Sequence, residues 1–305
     1  MIKAIALGTS SAFPTRTRNH PSIYINLAGN NMLFDCGEGT QRQIRIAGLS
    51  PSIDSIFITH WHGDHSLGVG GIIQSLNMLR REKPLEIYGP TGTDSSVRHI
   101  ISTYKFHNMV KVKTVSLKLP RASKIMESKD YEVYGINLPH NVMCIGYKIK
   151  EKDRLNIRQD LLRKTGIKSG PFLKGLKQQK DVSYNGRRLR WRHFTYLKKG
   201  RSLVYMTDFS YERKLASFAK DADALLIEST FSSDMEEKAI QFNHLTVRQA
   251  LTLGKSARAK NIFLTHISQR YEDKKELDEQ VKMEAKKLGL SGRVKVLKDF
   301  DVIEV

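Results

Sequence analysis

The chain has little cysteine and no long apolar run. Its 305 residues include only two cysteines, Cys36 and Cys144, and neither belongs to a CxxC pair. This implies no disulfide framework, fits a reducing compartment and disfavours a zinc site built on thiolates. No apolar stretch approaches the roughly 18 residues that span a bilayer, and residues 1–8 are too short an opening for a signal peptide. We therefore expect a cytoplasmic protein with no membrane anchor.

Acidic residues are scarce relative to basic ones. The chain carries 31 Asp and Glu against 51 Lys and Arg, which gives a net charge of +20. Such a balance favours a polyanionic partner, and nucleic acid before a membrane surface, because no amphipathic anchor is evident. A generally basic proteome or the surface of a thermophile protein is the alternative explanation.

Most of the excess charge lies in residues 150–201. This segment has 17 Lys and Arg against four acidic residues, a net charge of +13, and its apolar pattern is sparse and interrupted at Gly170-Pro171. We interpret it as an inserted basic arm that contacts a phosphate backbone, with a solvated surface excursion as the alternative. The remaining residues, 1–149 and 202–305, are then one interrupted domain.

Outside the arm, short apolar strands alternate with helical patterns, which predicts an α/β fold. Residues 54–60 (DSIFITH) are similar to residues 260–266 (KNIFLTH), and both apolar runs end in Thr-His. The similarity suggests two related halves that place ligands at one edge of the fold.

Residues 59–65 (THWHGDH) hold three imidazoles and a carboxylate within six positions. The side chains of His60 and His62 share one face of an extended backbone and can bind one cation. After the turn at Gly63, Asp64 and His65 can hold a second cation close by. We predict a metal site here; a solvated polar loop is the alternative.

Three further candidate ligands stand at or near the ends of apolar runs, namely His140, Asp208 and His266. Taken singly, each is more often a hydrogen-bonded loop residue than a ligand. Together with the histidine segment they complete two coordination spheres. Imidazole and carboxylate ligands without thiolates favour Zn²⁺, ahead of Mn²⁺ or Fe²⁺.

Four motifs resemble a known family. Residues 60–65 (HWHGDH) match the HxHxDH signature of the metallo-β-lactamase superfamily, and residues 34–43 (FDCGEGTQRQ) resemble the upstream block of its ribonuclease Z branch. Residues 265–271 (THISQRY) are similar to the last motif of that family, and residues 14–19 (PTRTRN) fit its PxKxRN loop with Arg in place of Lys. The resemblance covers nearly the whole chain, and the length fits the short form. It implies an αββα sandwich of two mixed sheets flanked by helices, with the basic arm inserted.

The resemblance also implies two zinc ions per subunit and assigns their ligands. One ion is implied to bind His60, His62 and His140, the other Asp64, His65 and His266, with Asp208 as the bridge. Two metals roughly 3.5–4 Å apart can share a hydroxide that attacks a phosphodiester, and they stabilise the entering and leaving oxygens. Asp64 is implied to order or deprotonate that water as well.

Other polar residues receive supporting roles from the resemblance. Asp35 is implied to orient a ligand imidazole, with an ordinary turn carboxylate as the alternative. His244 is implied to protonate the leaving 3′ oxygen, although spacing alone fits a cap of the helix predicted over residues 247–259. The family's His-Glu-Ala-Thr element reads Ile-Glu-Ser-Thr here, so Glu228 is kept in a supporting position while Ile227 replaces the histidine.

The family resemblance extends to RNA contacts and assembly. Candidate contacts are Arg16 and Arg18 in the loop of residues 14–19, Arg270 and Tyr271 after His266, and Gly170 and Pro171 in the arm, which corresponds to the family's flexible tRNA-binding exosite. The family also implies a homodimer in which the arm of one subunit helps to present tRNA to the site of the other.

These observations predict a zinc-dependent endoribonuclease that removes the 3′ trailer from precursor tRNA and leaves a 3′-hydroxyl on the tRNA. Two alternatives remain. A hydrolase of a small substrate from the same superfamily has no need of an arm with a charge of +13. A non-catalytic RNA-binding protein on a hydrolase scaffold would not need metal-binding residues at every ligand position of the family. In this sequence every such position has one.

Overall fold

The computed structural model describes residues 1–104, 110–272 and 275–305. The chain divides into two compact units, one formed by Met1–Ile149 with Ser202–Val305 and the other by Lys150–Arg201. The first unit contains two seven-stranded sheets. Within the described residues, no helix has the length and apolar character needed to cross a membrane.

The first sheet has the strand order β18-β1-β2-β3-β4-β5-β6. Its strands are β1 (Lys3–Gly8), β2 (Ser22–Leu27), β3 (Asn30–Phe34), β4 (Ser55–Phe57), β5 (Leu85–Pro90), β6 (Val112–Leu117) and β18 (Val302–Glu304). Pairing is antiparallel from β18 to β3 and parallel from β3 to β6, so the sheet is mixed. Phe34 pairs with Phe57, so the chain leaves β3 and β4 at the same edge.

The second sheet has the order β17-β16-β15-β14-β9-β8-β7. Its strands are β7 (Ser123–Glu127), β8 (Tyr131–Leu138), β9 (Cys144–Glu151), β14 (Ser202–Met206), β15 (Ala224–Glu228), β16 (Asn261–Thr265) and β17 (Val294–Val296). The last four are parallel, whereas β7 and β8 are antiparallel. Met206 pairs with Ile227 and Glu228 pairs with Thr265, which aligns the carboxyl ends of β14, β15 and β16.

Helices cover the outer faces of both sheets. They are α1 (Thr40–Ile46), α2 (Gly63–Ser66), α3 (Val69–Met78) and α4 (Thr93–Thr103), followed later in the chain by α8 (Glu236–Phe242), α9 (Val247–Ser256) and α10 (Lys275–Lys287), with 3-10 turns at Arg213–Ser217 and Gln269–Tyr271. One apolar cluster lies between the sheets and includes Phe34 and Tyr205. A second packs the first sheet against its helices, and a third does so for the second sheet. The predicted αββα sandwich of two mixed sheets is confirmed.

The unit Lys150–Arg201 has its own small fold. It consists of β10 (Arg154–Ile157) paired with β13 (Thr195–Lys198), the hairpin of β11 (Val182–Tyr184) and β12 (Arg187–Leu189), and the helices α5 (Gln159–Lys164), α6 (Leu173–Lys177) and α7 (Trp191–Phe194). Its apolar residues, too sparse in the sequence to predict a core, form a cluster of Ile157, Leu162, Leu176, Leu189 and Phe194. The two ends of the unit adjoin, because Glu151 N donates to Arg201 O at 2.9 Å.

Candidate metal centre

The seven predicted ligands converge at the edge where the strands of both sheets end. Together with His244 they form overlapping groups, and within each group the nitrogen and oxygen atoms lie within 4.8 Å of one another. These groups are His60 with His62 and His140; His60 with His65 and Asp208; Asp64 with His65 and His266; and Asp208 with His244 and His266. Asp208 groups with His60 as well as with His266, which belong to the two different sets of predicted ligands. A bridging ligand requires such a position.

His60, His62 and His140 form the first set of donors. The Nε2 atom of His60 is 2.9 Å from Nδ1 of His62, and the ring of His140 is centred 5.2 Å from that of His60. Among the described residues, neither ring nitrogen of His140 has a hydrogen-bond partner, although both are buried. Burial lowers the pKa of His140 and places that of His60 well below its ordinary value, so both rings are neutral. A metal ion would satisfy one of the two unpartnered nitrogens, and neutral imidazole is the form that binds metals.

The second set of donors faces a shared carboxylate. The Nε2 atoms of His65 and His266 are 3.3 Å apart, and they lie 3.1 and 3.3 Å from Oδ2 of Asp208. Asp64 Oδ2 is 3.4 Å from His65 Nε2. Burial opposes the charged form of His65, yet the carboxylates of Asp208, Asp35 and Asp64 raise its pKa well above the usual range. The same negative field favours a bound cation, and the donor set of imidazoles and carboxylates fits a divalent metal.

Three residues at the strand ends have left-handed backbone. Asp35 follows β3 with φ 58°, Asp208 lies two residues beyond β14 with φ 55°, and His266 follows β16 with φ 57°. Such conformations are uncommon for residues other than glycine and persist where surrounding structure enforces them. Here each one turns the chain sharply out of the sheet and directs a polar side chain into the centre.

Asp35 orients His65. Its carboxylate is fully buried and accepts hydrogen bonds from His65 Nδ1 at 2.7 Å, from the Thr59 backbone N–H at 2.8 Å and from the Tyr205 hydroxyl at 2.9 Å. Because Nδ1 is engaged, Nε2 of His65 is the atom that faces the centre. Sequence reasoning missed Tyr205, since a tyrosine inside an apolar strand carries no local signal of this contact.

Hydroxyl groups form hydrogen bonds with two of the other candidate ligands. The Thr207 hydroxyl donates to Asp208 Oδ2 at 2.6 Å, and the Thr230 hydroxyl lies 3.0 Å from His266 Nδ1. Neither threonine was singled out from the sequence as a support of a ligand. In the sequence, Thr207 precedes Asp208, and Thr230 ends the Glu-Ser-Thr element. These positions are the only sequence signals that could have indicated the two contacts.

His244 lies at the rim of the centre and is paired with Glu228. Nδ1 of His244 is 3.1 Å from Glu228 Oε2 and 3.8 Å from Asp208 Oδ1. Although burial opposes the charged ring, the charge of Glu228 and its hydrogen bond raise the pKa of His244 to about 9. Helix α9 is capped instead by Thr246, whose side chain forms a reciprocal capping box with Gln249.

Glu228 is fixed from several directions. It is fully buried and accepts hydrogen bonds from the backbone N–H groups of Phe209 and Leu245 and from the Thr230 hydroxyl. Ile227, which replaces the usual histidine of the family, is fully buried in the apolar cluster on the outer side of the second sheet. The Ile227 side chain therefore belongs to the core, whereas that of Glu228 belongs to the centre.

The predicted RNA-contact residues differ in their surroundings. The Arg16 side chain is 83% exposed, and the guanidinium of Arg270 lies 5.7 Å over the Phe231 ring. In contrast, Arg18 Nη1 donates to Thr9 Oγ1 at 2.6 Å and to the Leu297 carbonyl, and the Tyr271 hydroxyl is hydrogen bonded to Ser232. These contacts favour a structural role for Arg18 and Tyr271. Gly170 and Pro171 lie in the basic unit, just before α6.

Two mixed sheets between helices, with a His/Asp centre at their edge, define a metal-binding protein of the metallo-β-lactamase fold. The short form of human tRNase Z shares the fold, with a TM-score of 0.70, 23% identity and coverage of 99% of both chains. The Bacillus subtilis protein YhfI, described as a metallo-β-lactamase fold protein, has a TM-score of 0.70, 19% identity and coverage of 100% of this chain and 99% of its own.

Sequence comparison identifies the family. Ribonuclease Z of Methanococcus maripaludis is 38% identical over 279 residues, which cover 89% of this chain and 90% of the relative. The chain belongs to the ribonuclease Z family, as its motifs predicted. The family model of the anti-Pycsar protein Apyc1 matches residues 2–143, the part that carries the histidine segment and His140.

Proposed function

We propose that this protein is a zinc-dependent endoribonuclease that removes the 3′ trailer from precursor tRNA in the cytoplasm. The relative from Methanococcus maripaludis is named ribonuclease Z, and a structural neighbour is named tRNase Z. The observation that carries the proposal is the connected His/Asp centre with the pair of His244 and Glu228 at its rim. This arrangement supplies both a metal site and a proton donor for phosphodiester hydrolysis.

The ligands are proposed to bind two zinc ions. His60, His62 and His140 would hold one ion, Asp64, His65 and His266 the other, and Asp208 would contact both. When bound, the two ions would supply an activated water and neutralise charge that develops on the phosphate. The absence of thiolates from these donor groups is compatible with zinc, which binds imidazole and carboxylate ligands in catalytic sites.

Two residues are proposed to handle protons. The Asp64 side chain is 14% exposed, more than those of His65, Asp208 and His266, so its carboxylate is the most accessible of these four groups. We propose that it orients and deprotonates an attacking water. His244 Nδ1 is engaged with Glu228, which leaves Nε2 to donate a proton to the departing 3′ oxygen. The products are a tRNA with a 3′-hydroxyl and a trailer with a 5′-phosphate.

The basic unit Lys150–Arg201 is proposed to bind the tRNA backbone. It carries a net charge of +13, and side chains such as Arg188 and Lys199 are 79% and 78% exposed. A groove of about 840 Å³ in this unit is lined by basic and aromatic residues that include Arg154, Trp191 and Arg192. Such a surface recognises charge and shape and does not read base edges.

The protein is also proposed to act as a homodimer. Large apolar side chains in and near α1, α2 and α3 are unusually exposed, namely Ile46 at 51%, Leu67 at 65%, Met78 at 74% and Leu79 at 51%. Helices α1 and α3 are in contact with each other. A partner subunit would remove the apolar surface from water.

The test is incubation of the zinc-loaded protein with end-labelled precursor tRNA, with and without chelator, followed by mapping of the product termini. We expect one cut at the 3′ side of the tRNA body, a 3′-hydroxyl on the tRNA, loss of cleavage with chelator and recovery with added zinc. Hydrolysis of small phosphodiesters without RNA cleavage would favour the small-substrate alternative. RNA binding without any hydrolysis would favour a non-catalytic protein.

A further inference from the structure

The side chains of β14 alternate between the two faces of the second sheet. Val204 and Met206 belong to the apolar cluster on the outer side of that sheet. Leu203 and Tyr205 belong to the cluster between the two sheets. Tyr205 is fully buried, and its backbone pairs in parallel with Leu226 of β15. The strand therefore fixes the position from which the Tyr205 ring extends towards the first sheet.

The Tyr205 hydroxyl donates to a carboxylate beyond the end of a strand of the first sheet. Its acceptor is Oδ2 of Asp35 at 2.9 Å, and Asp35 directly follows β3. The Tyr205 ring packs edge-on against Phe34, with ring centroids 6.4 Å apart. Burial and the charge of Asp35 raise the pKa of Tyr205 well above its ordinary value, so the hydroxyl keeps its proton and acts as a donor.

Tyr205 shares its acceptor oxygen with a predicted metal ligand. Asp35 Oδ2 also accepts a hydrogen bond from His65 Nδ1, at 2.7 Å. The Thr59 hydroxyl lies 2.9 Å from Oδ1 and 3.0 Å from Oδ2, and the Thr59 backbone N–H donates to Oδ1 at 2.8 Å. Among the described donors to this carboxylate, Tyr205 is the one that comes from the second sheet. The others belong to the histidine segment that follows β4.

The strand that carries Tyr205 also leads to Asp208. Asp208 lies three residues after Tyr205, and the Thr207 hydroxyl between them donates to Asp208 Oδ2 at 2.6 Å. That oxygen is 3.1 Å from Nε2 of His65. Asp208 and Asp35 thus contact the two different nitrogens of the His65 ring. Because Tyr205 joins Asp35 to the strand that ends before Asp208, these contacts form a closed ring across both sheets.

We infer that Tyr205 is a positioning residue of the metal centre, which holds Asp35, and through it the His65 ring, at a set distance from Asp208. The inference rests on the proposed function, because it takes His65 and Asp208 as ligands of the same ion. Tyr205 contacts neither the substrate nor a donor atom of the centre, so it acts only through Asp35. Groups that orient a metal ligand commonly contribute about 10- to 100-fold to metal affinity.

The first test measures zinc affinity of the full-length protein by competition with a chromogenic chelator. Tyr205→Phe removes one oxygen atom and should weaken zinc binding about 10- to 100-fold. Tyr147→Phe is the matched control, because Tyr147 lies in the same buried cluster and its hydroxyl donates to the Ile58 carbonyl at 2.6 Å. This control also loses a hydrogen bond between the sheets, but not one to Asp35, and should keep the wild-type affinity. Wild-type affinity of Tyr205→Phe, or equal losses in both variants, would overturn the inference.

The second test asks whether Tyr205 acts through Asp35. The double variant with Tyr205→Phe and Asp35→Asn should bind zinc about as weakly as Asp35→Asn alone, because the same contact is already lost. Additive losses would overturn the inference. Should Asp35→Asn fail to fold, the visible spectrum of the cobalt-loaded single variants decides. It should change in Tyr205→Phe, where the His65 ring is less well oriented, and stay as in the wild type in Tyr147→Phe. Identical spectra of all three proteins would overturn the inference.

A third measurement separates failure of this inference from failure of the proposed function. The zinc concentration for half-maximal cleavage of precursor tRNA should rise about 10- to 100-fold in Tyr205→Phe, with a maximal rate within a few-fold of the wild type. A large loss that persists at saturating zinc, with unchanged zinc affinity, would overturn the positioning role. If the wild type binds zinc but cuts no RNA, the nuclease function is rejected, whereas weaker zinc binding by Tyr205→Phe would still support the inference.

Discussion

The metal centre and the basic unit Lys150–Arg201 differ in how firmly their polar side chains are held. In the centre, the side chains of His65, Asp208 and His266 are at most 4% exposed, and each is held by a further hydrogen bond. In the basic unit, cationic side chains extend into solvent around a cluster of five buried apolar residues. Chemistry at a bond requires positions fixed to fractions of an ångström, whereas attraction of a polyanion requires mainly a density of charge. Single substitutions should therefore be severe in the centre and mild in the basic unit.

The largest expected effect follows from Asp64→Ala. Loss of a proposed ligand and base should reduce cleavage of precursor tRNA by on the order of 10³-fold or more, because metal ions contribute several kcal/mol to such reactions. Affinity for tRNA should stay near the wild-type value, since the basic unit is untouched. Single-turnover cleavage and filter binding measure the two quantities.

Asp94→Ala is the control for this variant, because Asp94 is an exposed carboxylate on α4. It should cleave at the wild-type rate. Undiminished turnover of Asp64→Ala would contradict the proposed centre, and parallel loss of binding and cleavage would break the contrast between the two regions.

His244→Ala should have the next largest effect, and one that depends on the leaving group. Removal of a general acid should slow cleavage of precursor tRNA by about 10²- to 10⁴-fold, because the 3′ oxygen is a poor leaving group. Hydrolysis of a nitrophenyl phosphodiester should change far less, since nitrophenolate leaves without a proton. His99→Ala, an exposed histidine on α4, is the matched control. Equal losses on both substrates would argue against the acid role.

Replacement of residues 153–198 by a short Gly-Ser linker tests the other side of the comparison. The adjoining ends of the unit make such a connection feasible. We expect affinity for precursor tRNA to fall at least about tenfold at low salt and its dependence on salt to flatten, because fewer counterions are released. Hydrolysis of the small phosphodiester should be unchanged.

Reversal of a single charge should sharpen this result. Arg188→Glu is expected to weaken tRNA binding only a few-fold, because one phosphate contact is lost among many. Wild-type affinity of the deletion variant would show that the basic unit does not bind tRNA. A large effect of Arg188→Glu would instead indicate a specific contact.

The last prediction concerns stability. Asp299 accepts hydrogen bonds from Thr9 and Asn19 in the loop between β1 and β2, so its titration tests whether this loop belongs with the fixed region. Burial raises the pKa of its carboxyl to about 6, against an ordinary value of 3.8, despite hydrogen bonds that favour the charged form. The folded state thus retains a proton that the unfolded state releases, so the free energy of unfolding should decrease as the pH rises from about 4 to about 6 and then level off. The change should be about 1–2 kcal/mol, allowing for partial exposure.

Urea unfolding of the wild type and of Asp299→Asn, measured between pH 4 and 7, isolates this contribution. The difference in unfolding free energy between the two proteins should vary over that range and become constant above it. A constant difference at every pH would show that Asp299 does not titrate as its surroundings predict.

The convergence of the candidate ligands was predictable because most of them stand beside a local signal in the sequence. His60, His62, Asp64 and His65 lie within six positions, and Asp208 and His266 follow apolar runs that become β14 and β16. The family resemblance added the sandwich of two sheets, which is confirmed, and the grouping of the candidate ligands and the acid role of His244, which stay predictions. A short pattern, an apolar run followed by a polar residue, is enough to predict such positions, because the carboxyl ends of the strands meet at one edge of the fold.

Contacts that cross the fold were not predictable. Tyr205 and Asp35 are 170 residues apart in sequence; Tyr205 lies in β14 of the second sheet, whereas Asp35 follows β3 of the first. The inward orientation of Arg18 depends on Thr9 and Leu297, and no local pattern distinguishes it from the outward Arg16. The core of the basic unit likewise combines one apolar residue from each of several short elements, so it leaves no periodic trace.

The adjoining ends of residues 150–201 have a consequence for how such enzymes diversify. The segment departs from the end of β9 and returns at the start of β14, two strands that are neighbours in the second sheet. A different module could be grafted at this junction without changing the register of either strand. The basic unit could thus be exchanged for another module while both sheets keep their strand order.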